Sequence, residues 1–183
     1  MTYPLTTTRL SISPLTSQDA TAFVAYRQVP DVARWQGWEP SFDLGDAAEL
    51  INQQPQTDLP APGGWLQLAI HNSAGAVLHG DVAIHKIAQA EHTFEIGITL
   101  APGSQNQGIA REALQRVITY LFTDAGAQQI VASCDSRNLA AAKLMIAVGM
   151  QKVSSEVDAE FFKGEWMSLD SFALFNTDSL KTE

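Results

Sequence analysis

Phe94-Glu95-Ile96-Gly97-Ile98-Thr99-Leu100, then Ala101-Pro102-Gly103-Ser104, then Gln105-Asn106-Gln107-Gly108-Ile109-Ala110 reads as a strand, a turn and the opening of a helix. The first seven residues are an apolar run interrupted by one acid, and Ala101-Pro102-Gly103 closes it. From Gly108 onward Ile109, Ala113, Leu114, Val117, Ile118, Leu121 and Phe122 recur at helical spacing, with Arg111, Glu112, Gln115, Arg116 and Thr119 opposite. A helix that starts directly after a strand and a turn of little bulk presents several unpaired backbone N–H groups in one direction, with the helix dipole behind them. Such an element binds an anion of the diphosphate type. Gly108 and Ala110 keep side-chain bulk out of that approach. The other phosphate loops do not fit, because neither Gly-x4-Gly-Lys-Ser/Thr nor Gly-x-Gly-x-x-Gly occurs in the chain.

Upstream of this junction, Arg9-Leu10-Ser11-Ile12-Ser13 alternates and stops at Pro14, which predicts a first strand. Ser17 is the expected N-cap of a helix over Gln18 to Arg27, with Ala20, Phe23, Val24 and Arg27 on one stripe. Trp35 and Trp38 fall in a glycine-containing loop, Pro30 to Pro40, before a second helical pattern at Asp43 to Gln54. Gln56 to Gly64 is a proline- and glycine-rich loop too short to separate domains. Trp65 to His71 and Val77 to Ile87 predict a hairpin around Asn72-Ser73-Ala74-Gly75, and Thr93 to Leu100 completes an antiparallel meander. Downstream, Gln129 to Cys134 is a short buried strand, Asn138 caps a helix that runs to Val148, and two strands, Met150 to Val157 and Trp166 to Phe175, flank the turn Lys163-Gly164. The expectation is one domain over residues 8–175 and a polar tail over 176–183, with about seven strands and about four helices.

Of the 183 residues 45% are hydrophobic, enough to bury a core, which excludes a disordered or fibrous chain. Twenty acidic residues against 11 basic ones leave a net charge of −9, and the bases are scattered, so a nucleic-acid backbone is a poor partner. The single cysteine, Cys134, cannot form an intramolecular disulfide, and the histidines lack the spacing of a zinc site, so no metal is expected. No window reaches the length of an apolar membrane span, and no charged n-region precedes an apolar run at the N-terminus. These features predict a cytoplasmic protein without membrane contact.

The strand, Gln-x-x-Gly-x-Ala turn, amphipathic helix, second strand and Asn-capped helix ending in Gly149-Met150 resemble the GNAT superfamily of acetyl-CoA-dependent N-acetyltransferases, whose signature is Gln/Arg-x-x-Gly-x-Gly/Ala. Thr8-Arg9-Leu10-Ser11-Ile12-Ser13-Pro14-Leu15-Thr16 with Asp19-Ala20, and Asn138 followed by Gly149-Met150, resemble more narrowly the branch with the ribosomal-protein N-terminal acetyltransferases. The resemblance implies a mixed, mostly antiparallel, twisted α/β sheet splayed between its fourth and fifth strands, with acetyl-CoA in the opening. By that pattern Ile98, Thr99 and Leu100 pair with the pantetheine arm through their backbone, and a backbone N–H near Ile98 faces the oxyanion. Gln105, Asn106, Gln107, Gly108, Ile109, Ala110 and Arg111 surround the diphosphate. Asn138 has two competing expectations, an N-cap and a hydrogen bond to pantetheine.

Acetyl transfer to an amine needs a base, and Glu95, an acid in an apolar strand and matched by glutamate in many relatives, is the candidate, directly or through water. The family's usual acid is missing: Ala141 stands where the branch commonly has serine, and no tyrosine follows Tyr120, which leaves Cys134, Ser136 or water. Trp35 and Trp38 are the candidate acceptor-pocket residues, with Phe42, Trp65 and Trp166 behind them. The resulting expectation is an N-acetyltransferase acting by direct attack in a ternary complex on a primary amine. The branch resemblance points to a protein N-terminus; the aromatic loop and altered acid position suit a polyamine, amino acid or aminoglycoside. A catalytically idle CoA-binding module is the rival class, and exposed sheet edges fit a homodimer.

Overall fold

The structure, a computed structural model, describes residues 2–176. Strands β1 (Leu5–Thr6), β2 (Leu10–Pro14), β3 (Trp65–Asn72), β4 (Leu78–Lys86), β5 (Thr93–Leu100), β6 (Gln129–Asp135), β7 (Gln151–Phe162) and β8 (Glu165–Phe175) form one sheet in the order β1-β2-β3-β4-β5-β6-β8-β7. Helices α1 (Ala20–Arg27), α2 (Pro30–Ala33) and α3 (Leu44–Asn52) precede β3, α4 (Ile109–Thr123) joins β5 to β6, and α5 (Leu139–Ala147) joins β6 to β7. Every ladder is antiparallel except β5 with β6, which the α4 crossover makes parallel.

That parallel ladder is short, and the site depends on it. Only Thr93, Phe94 and Glu95 pair with Gln129, Ile130 and Val131. Past Glu95 the two strands part, which leaves the β6-facing edge of β5 unpaired from Ile96 to Leu100 and opens the sheet at the expected place. On the other edge β5 stays paired with β4 as far as Leu100 opposite Gly80. A Cβ at Gly80 would overlap the Thr99 carbonyl oxygen, so this close approach of β4 to β5 requires glycine.

The register puts three rows of side chains on one face of β3, β4 and β5: Trp65, His85 and Glu95; Gln67, Ala83 and Gly97; Ala69, Asp81 and Thr99. The opposite face carries Leu66, Leu68, Ile70, Val82, Ile84, Phe94 and Ile96, all buried against Ile109, Ala113, Leu114, Val117 and Leu121 of α4. Each fully buried aliphatic side chain there contributes about 1.5–3 kcal/mol. The first face is covered more thinly, by Phe23, Val24 and Tyr26 of α1, Val32 of α2 and Ala47 of α3. Small residues in its middle row, Ala83 and Gly97, leave room above the sheet.

Several boundaries differ from the sequence reading for local reasons. Helix α1 starts at Ala20 with Asp19 at the N-cap, because the Asp19 carboxylate accepts from the Thr16 N–H (2.8 Å) and hydroxyl (2.9 Å) and closes a turn over the residues expected to be helical. Asp43 caps α3 reciprocally with Asp46: Asp43 Oδ1 accepts from the Asp46 N–H (3.1 Å) and Asp46 Oδ2 from the Asp43 N–H (2.8 Å). Pro30 sits in the first turn of α2, a short helix inside the segment read as loop. Strand β1 is too short to show a period. Strand β7 runs to Phe162, well past Val157; its pairing slips between Glu156 and Glu160, and its residues are exposed on both faces, so no alternation marks it. Of the expected tail, Asn176 donates its N–H to Gln128 O (2.9 Å), and the rest lies outside the described residues.

Candidate active site

Two cavities lie beside β5 and share Gln36, Ile98 and Thr99. The first, about 380 Å³, occupies the opening past Glu95 and is lined by Ile98, Thr99 and Leu100, by Gln105, Asn106 and Gly108 to Arg111, by Asn138 and Ala141, and by Trp35. It thus gathers most of the residues expected around acetyl-CoA. Gln107 belongs to the same loop but does not line the cavity; its side-chain amide donates to Gly103 O (2.7 Å), and that of Gln105 donates to Leu100 O (3.3 Å), so both glutamines tie the loop to itself.

The loop's backbone is the candidate binding element. The first hydrogen bond of α4 runs from the Glu112 N–H to Gly108 O (3.1 Å), and among the described residues the amides of Asn106, Gln107, Gly108, Ile109, Ala110 and Arg111 have no partner. Unpaired N–H groups over a helix N-terminus fit a diphosphate. Gly108 holds φ +75° at the N-cap, and a Cβ there would meet nothing closer than Arg9 Nη2 at 3.6 Å. Within the protein itself, then, glycine is required by backbone conformation rather than by space.

Arg9 was not singled out from sequence, yet it fastens the loop from 98 residues away, donating to Gln107 O (3.1 Å) and pairing with Glu112 (2.5 Å). Burial pushes the Glu112 carboxyl up, but hydrogen bonds from Thr7 and Arg9 outweigh it and hold the group below its ordinary value. The cradle therefore has two cations beside it, Arg111 and Arg9, where the sequence pointed to Arg111 alone.

Asn138 meets the N-cap expectation and keeps donors in reserve. Its Oδ1 accepts from the Ala141 N–H (3.1 Å) as an N-cap, while the side chain lines the cavity with its amide NH2 unspent. Cys134 is half-buried on β6 and lines a separate hollow with Arg34, Trp35 and Lys163. Burial, with Asp170 and Asp135 nearby, pushes its thiol up to about 11, so it is a poor proton donor and a poor nucleophile at neutral pH.

The second cavity, about 630 Å³, stands on the small middle row of the sheet and is lined by Arg27, Trp38, Leu50, Gln54, Trp65, Gln67, Asp81, Ala83, Gly97 and Thr99, among others. Of the aromatic residues expected here, Trp38 and Trp65 are present, and Trp35 faces the first cavity. Phe42 packs behind Trp38 (6.5 Å between ring centres), and Trp166 lies exposed against Phe161 at the sheet edge, away from both cavities. Trp65 stacks on His85 at 4.4 Å, and His85 Nδ1 is 3.1 Å from Glu95 Oε2. Glu95 thus stands at the outer rim, in the row beyond Gly97, and lines neither cavity directly. Asp81, Tyr26, Arg27 and Gln67 form a buried polar group that the sequence reading did not assign to the site. Its one legible signal was Arg27, a base on the otherwise apolar stripe of α1.

A family model of the acetyltransferase (GNAT) domain matches residues 9–151. The chain belongs to the GNAT family. Two curated GNAT-type relatives are the uncharacterized N-acetyltransferase p20 of Bacillus licheniformis, 25% identical over 95% of this chain and 97% of that one, and YoaA of Bacillus subtilis, 29% identical over 81% and 82%. Among solved structures, a GNAT-family acetyltransferase of Bacillus anthracis aligns with a TM-score of 0.81 at 24% identity, over 93% of this chain and 96% of that one. The spermidine N-acetyltransferase of Vibrio cholerae bound to CoA and spermine aligns at 0.81 and 19%, over 96% and 100%. RimL, a ribosomal L7/L12 alpha-N-protein acetyltransferase in complex with coenzyme A, aligns at 0.79 and 16%, over 92% and 95%. The match shows a GNAT N-acetyltransferase, and enzymes of this family use acetyl-CoA and an amine acceptor. Among the described residues no helix is long and apolar enough to cross a membrane, and no cluster of His, Cys, Asp and Glu is arranged to hold a metal ion.

Proposed function

We propose that acetyl-CoA occupies the smaller cavity and a primary amine the larger, with transfer by direct attack where the two meet at Ile98 and Thr99. The observation that carries this reading is the shared wall: Ile98 and Thr99 of β5 border both cavities, with Gln36 common to the two, so an amine in one would lie next to a thioester in the other. Acetyl-CoA supplies an activated acyl group. The unpaired amides from Asn106 to Arg111 hold its diphosphate, the unpaired β5 edge from Ile98 to Leu100 offers hydrogen bonds to its amide arm, and the free Asn138 NH2 is a further donor. Glu95, held by His85 at the wet rim of the acceptor cavity, removes the ammonium proton through water. Because neither Cys134 nor any serine reaches the meeting point, water rather than a side chain protonates the departing thiolate, which needs little acid help.

A protein N-terminus, the acceptor that the sequence resemblance implies, would insert its first residue past the Trp65 rim; a small amine would be enclosed beneath Trp38. The homodimer would form on the open edge of β7, where Val153, Val157 and Phe161 are exposed, and light scattering at two protein concentrations checks it. Initial rates of CoA release measured against both substrates test the main reading. Intersecting double-reciprocal lines are expected for a ternary complex. Parallel lines would mean an acyl-enzyme and overturn direct attack, and the absence of any amine-stimulated CoA release would leave only an idle binding module.

A further inference from the structure

The acceptor cavity has a polar wall whose hydrogen-bonding capacity is unevenly spent. Asp81 is fully enclosed, and its two oxygens are taken by the Tyr26 hydroxyl and the Gln67 side-chain amide. Arg27, with 4% of its side chain exposed, is the opposite case. It pairs with Asp81 across 3.6 Å from Nη2 to Oδ2 and lies beside the Tyr26 hydroxyl, and its Nε is the buried side-chain polar atom without a partner among the described residues. The guanidinium plane is nevertheless fixed, because its carbon lies 3.6 Å from the Trp38 ring centre and 4.0 Å from that of Phe23. Trp38 is itself anchored through an indole N–H donated to Arg27 O (3.2 Å).

A buried guanidinium with an unpartnered N–H is costly unless a ligand completes it. Five N–H groups in a rigid fork match the two oxygens of a carboxylate, and aromatic stacking pre-orients the fork so that little freedom is lost on binding. Burial pushes the Asp81 carboxyl up, against the opposing pull of the Arg27 charge and of the hydrogen bonds it accepts. The wall thus sets a buried guanidinium beside the cavity, a poor match for a polyamine.

We infer that the acceptor is an amine that also carries a carboxylate, the amino-acid class, with the carboxylate on Arg27 and the amine directed to Ile98 and Thr99. The inference rests on the reading of the larger cavity as the acceptor site. A purely cationic amine would set its charge against Arg27 and leave the guanidinium unsatisfied.

The test is CoA release by the wild-type protein with three sets of probes: free methionine, phenylalanine and glutamate; the matching amines without carboxylate, with spermidine; and tetrapeptides with amidated C-termini. Carboxylated amines should exceed their decarboxylated partners by at least about tenfold in kcat/KM. Arg27→Met should raise KM for the preferred amino acid by at least about tenfold with KM for acetyl-CoA unchanged, and Arg27→Lys should recover part of it. Since Arg27→Met strands Asp81, the double variant with Asp81→Asn is measured alongside, and thermal unfolding confirms that both fold. Equal or better use of the decarboxylated amines, spermidine or amidated peptides overturns the carboxylate inference while the cavity keeps its role, and silence in all three sets overturns the inference as well. Turnover unchanged by Gly97→Val, which fills the floor of the cavity, would instead sink the acceptor-site reading.

Discussion

Gly97→Val separates the two cavities most cleanly. Gly97 lies in the middle row under the acceptor cavity, its φ is outside the left-handed region, and a Cβ there meets only Ala83 Cβ at 3.9 Å. Valine therefore enters without backbone strain. Strand preference favours it over glycine by up to about 1 kcal/mol, and the stiffer unfolded chain adds about 0.4–1 kcal/mol. For a chain of this size each 1 kcal/mol moves Tm by about 2–4 °C, so the variant should melt at the wild-type temperature or a few degrees above it. Its two γ-methyls project on the face shared by Glu95 and Thr99, into the space an amine would fill, whereas the phosphate loop and the β6-facing edge of β5 are untouched. Acetyl-CoA affinity by calorimetry should stay within about twofold, while kcat/KM for the amine falls by at least about tenfold, or 1.4 kcal/mol. Unchanged amine kinetics at a normal or raised Tm would refute the assignment of this cavity to the acceptor. A parallel loss of acetyl-CoA affinity would refute the separation of the two sites.

Gly108→Ala forces a non-glycine residue to φ +75°, which costs about 1–2 kcal/mol of backbone strain; a Tm drop of about 2–8 °C with weakened acetyl-CoA binding is expected, and undiminished affinity would remove the loop as the phosphate cradle. Glu95→Gln should lower kcat at every pH and flatten the acid limb of the pH–rate profile, and a profile identical to wild type would eliminate Glu95 as the base. Lys163, in the β7–β8 turn, donates to Ala33 O (2.8 Å) and to Trp38 O and so pins the segment that roofs the acceptor cavity; Lys163→Met should raise the amine KM several-fold and leave acetyl-CoA affinity alone, whereas an unchanged amine KM would show that the roof does not depend on this tether. Hydrogen bonds from Lys152 and Ser155, joined by Ser136, hold Asp170 down to about 2, below the ordinary aspartate value near 4, so its stabilising contribution is present above about pH 4 and is lost as pH falls toward 2. The Tm gap between wild type and Asp170→Asn should accordingly close over that interval, and a gap constant from pH 6 to pH 2 would contradict it.

Local chemistry made the strand, turn and helix start of the candidate phosphate element legible in the sequence. An apolar strand, a turn without bulk and an amphipathic helix are written in consecutive residues, and free amides at a helix start follow from backbone geometry whatever surrounds them. The meander, the Asn138 cap and the helix–strand–helix run after Gly108 were readable for the same reason, since each is a periodicity or a capping residue within a short window. Strand β7 was only half legible, because a strand exposed on both faces carries no alternation.

What tertiary structure alone decided is which distant residues share a wall. Cross-strand register, fixed by three successive ladders, puts Gly97 beside Ala83 and Thr99 beside Asp81 and so sets where the floor is low enough for a cavity. Helix α1 then brings Arg27 down onto that face from 54 residues before Asp81, and the turn after β7 reaches back to hold Trp38. The proposed phosphate cradle comes from one contiguous stretch of backbone; the proposed acceptor site is made of side chains from separate segments, and only packing brings them within reach of one another.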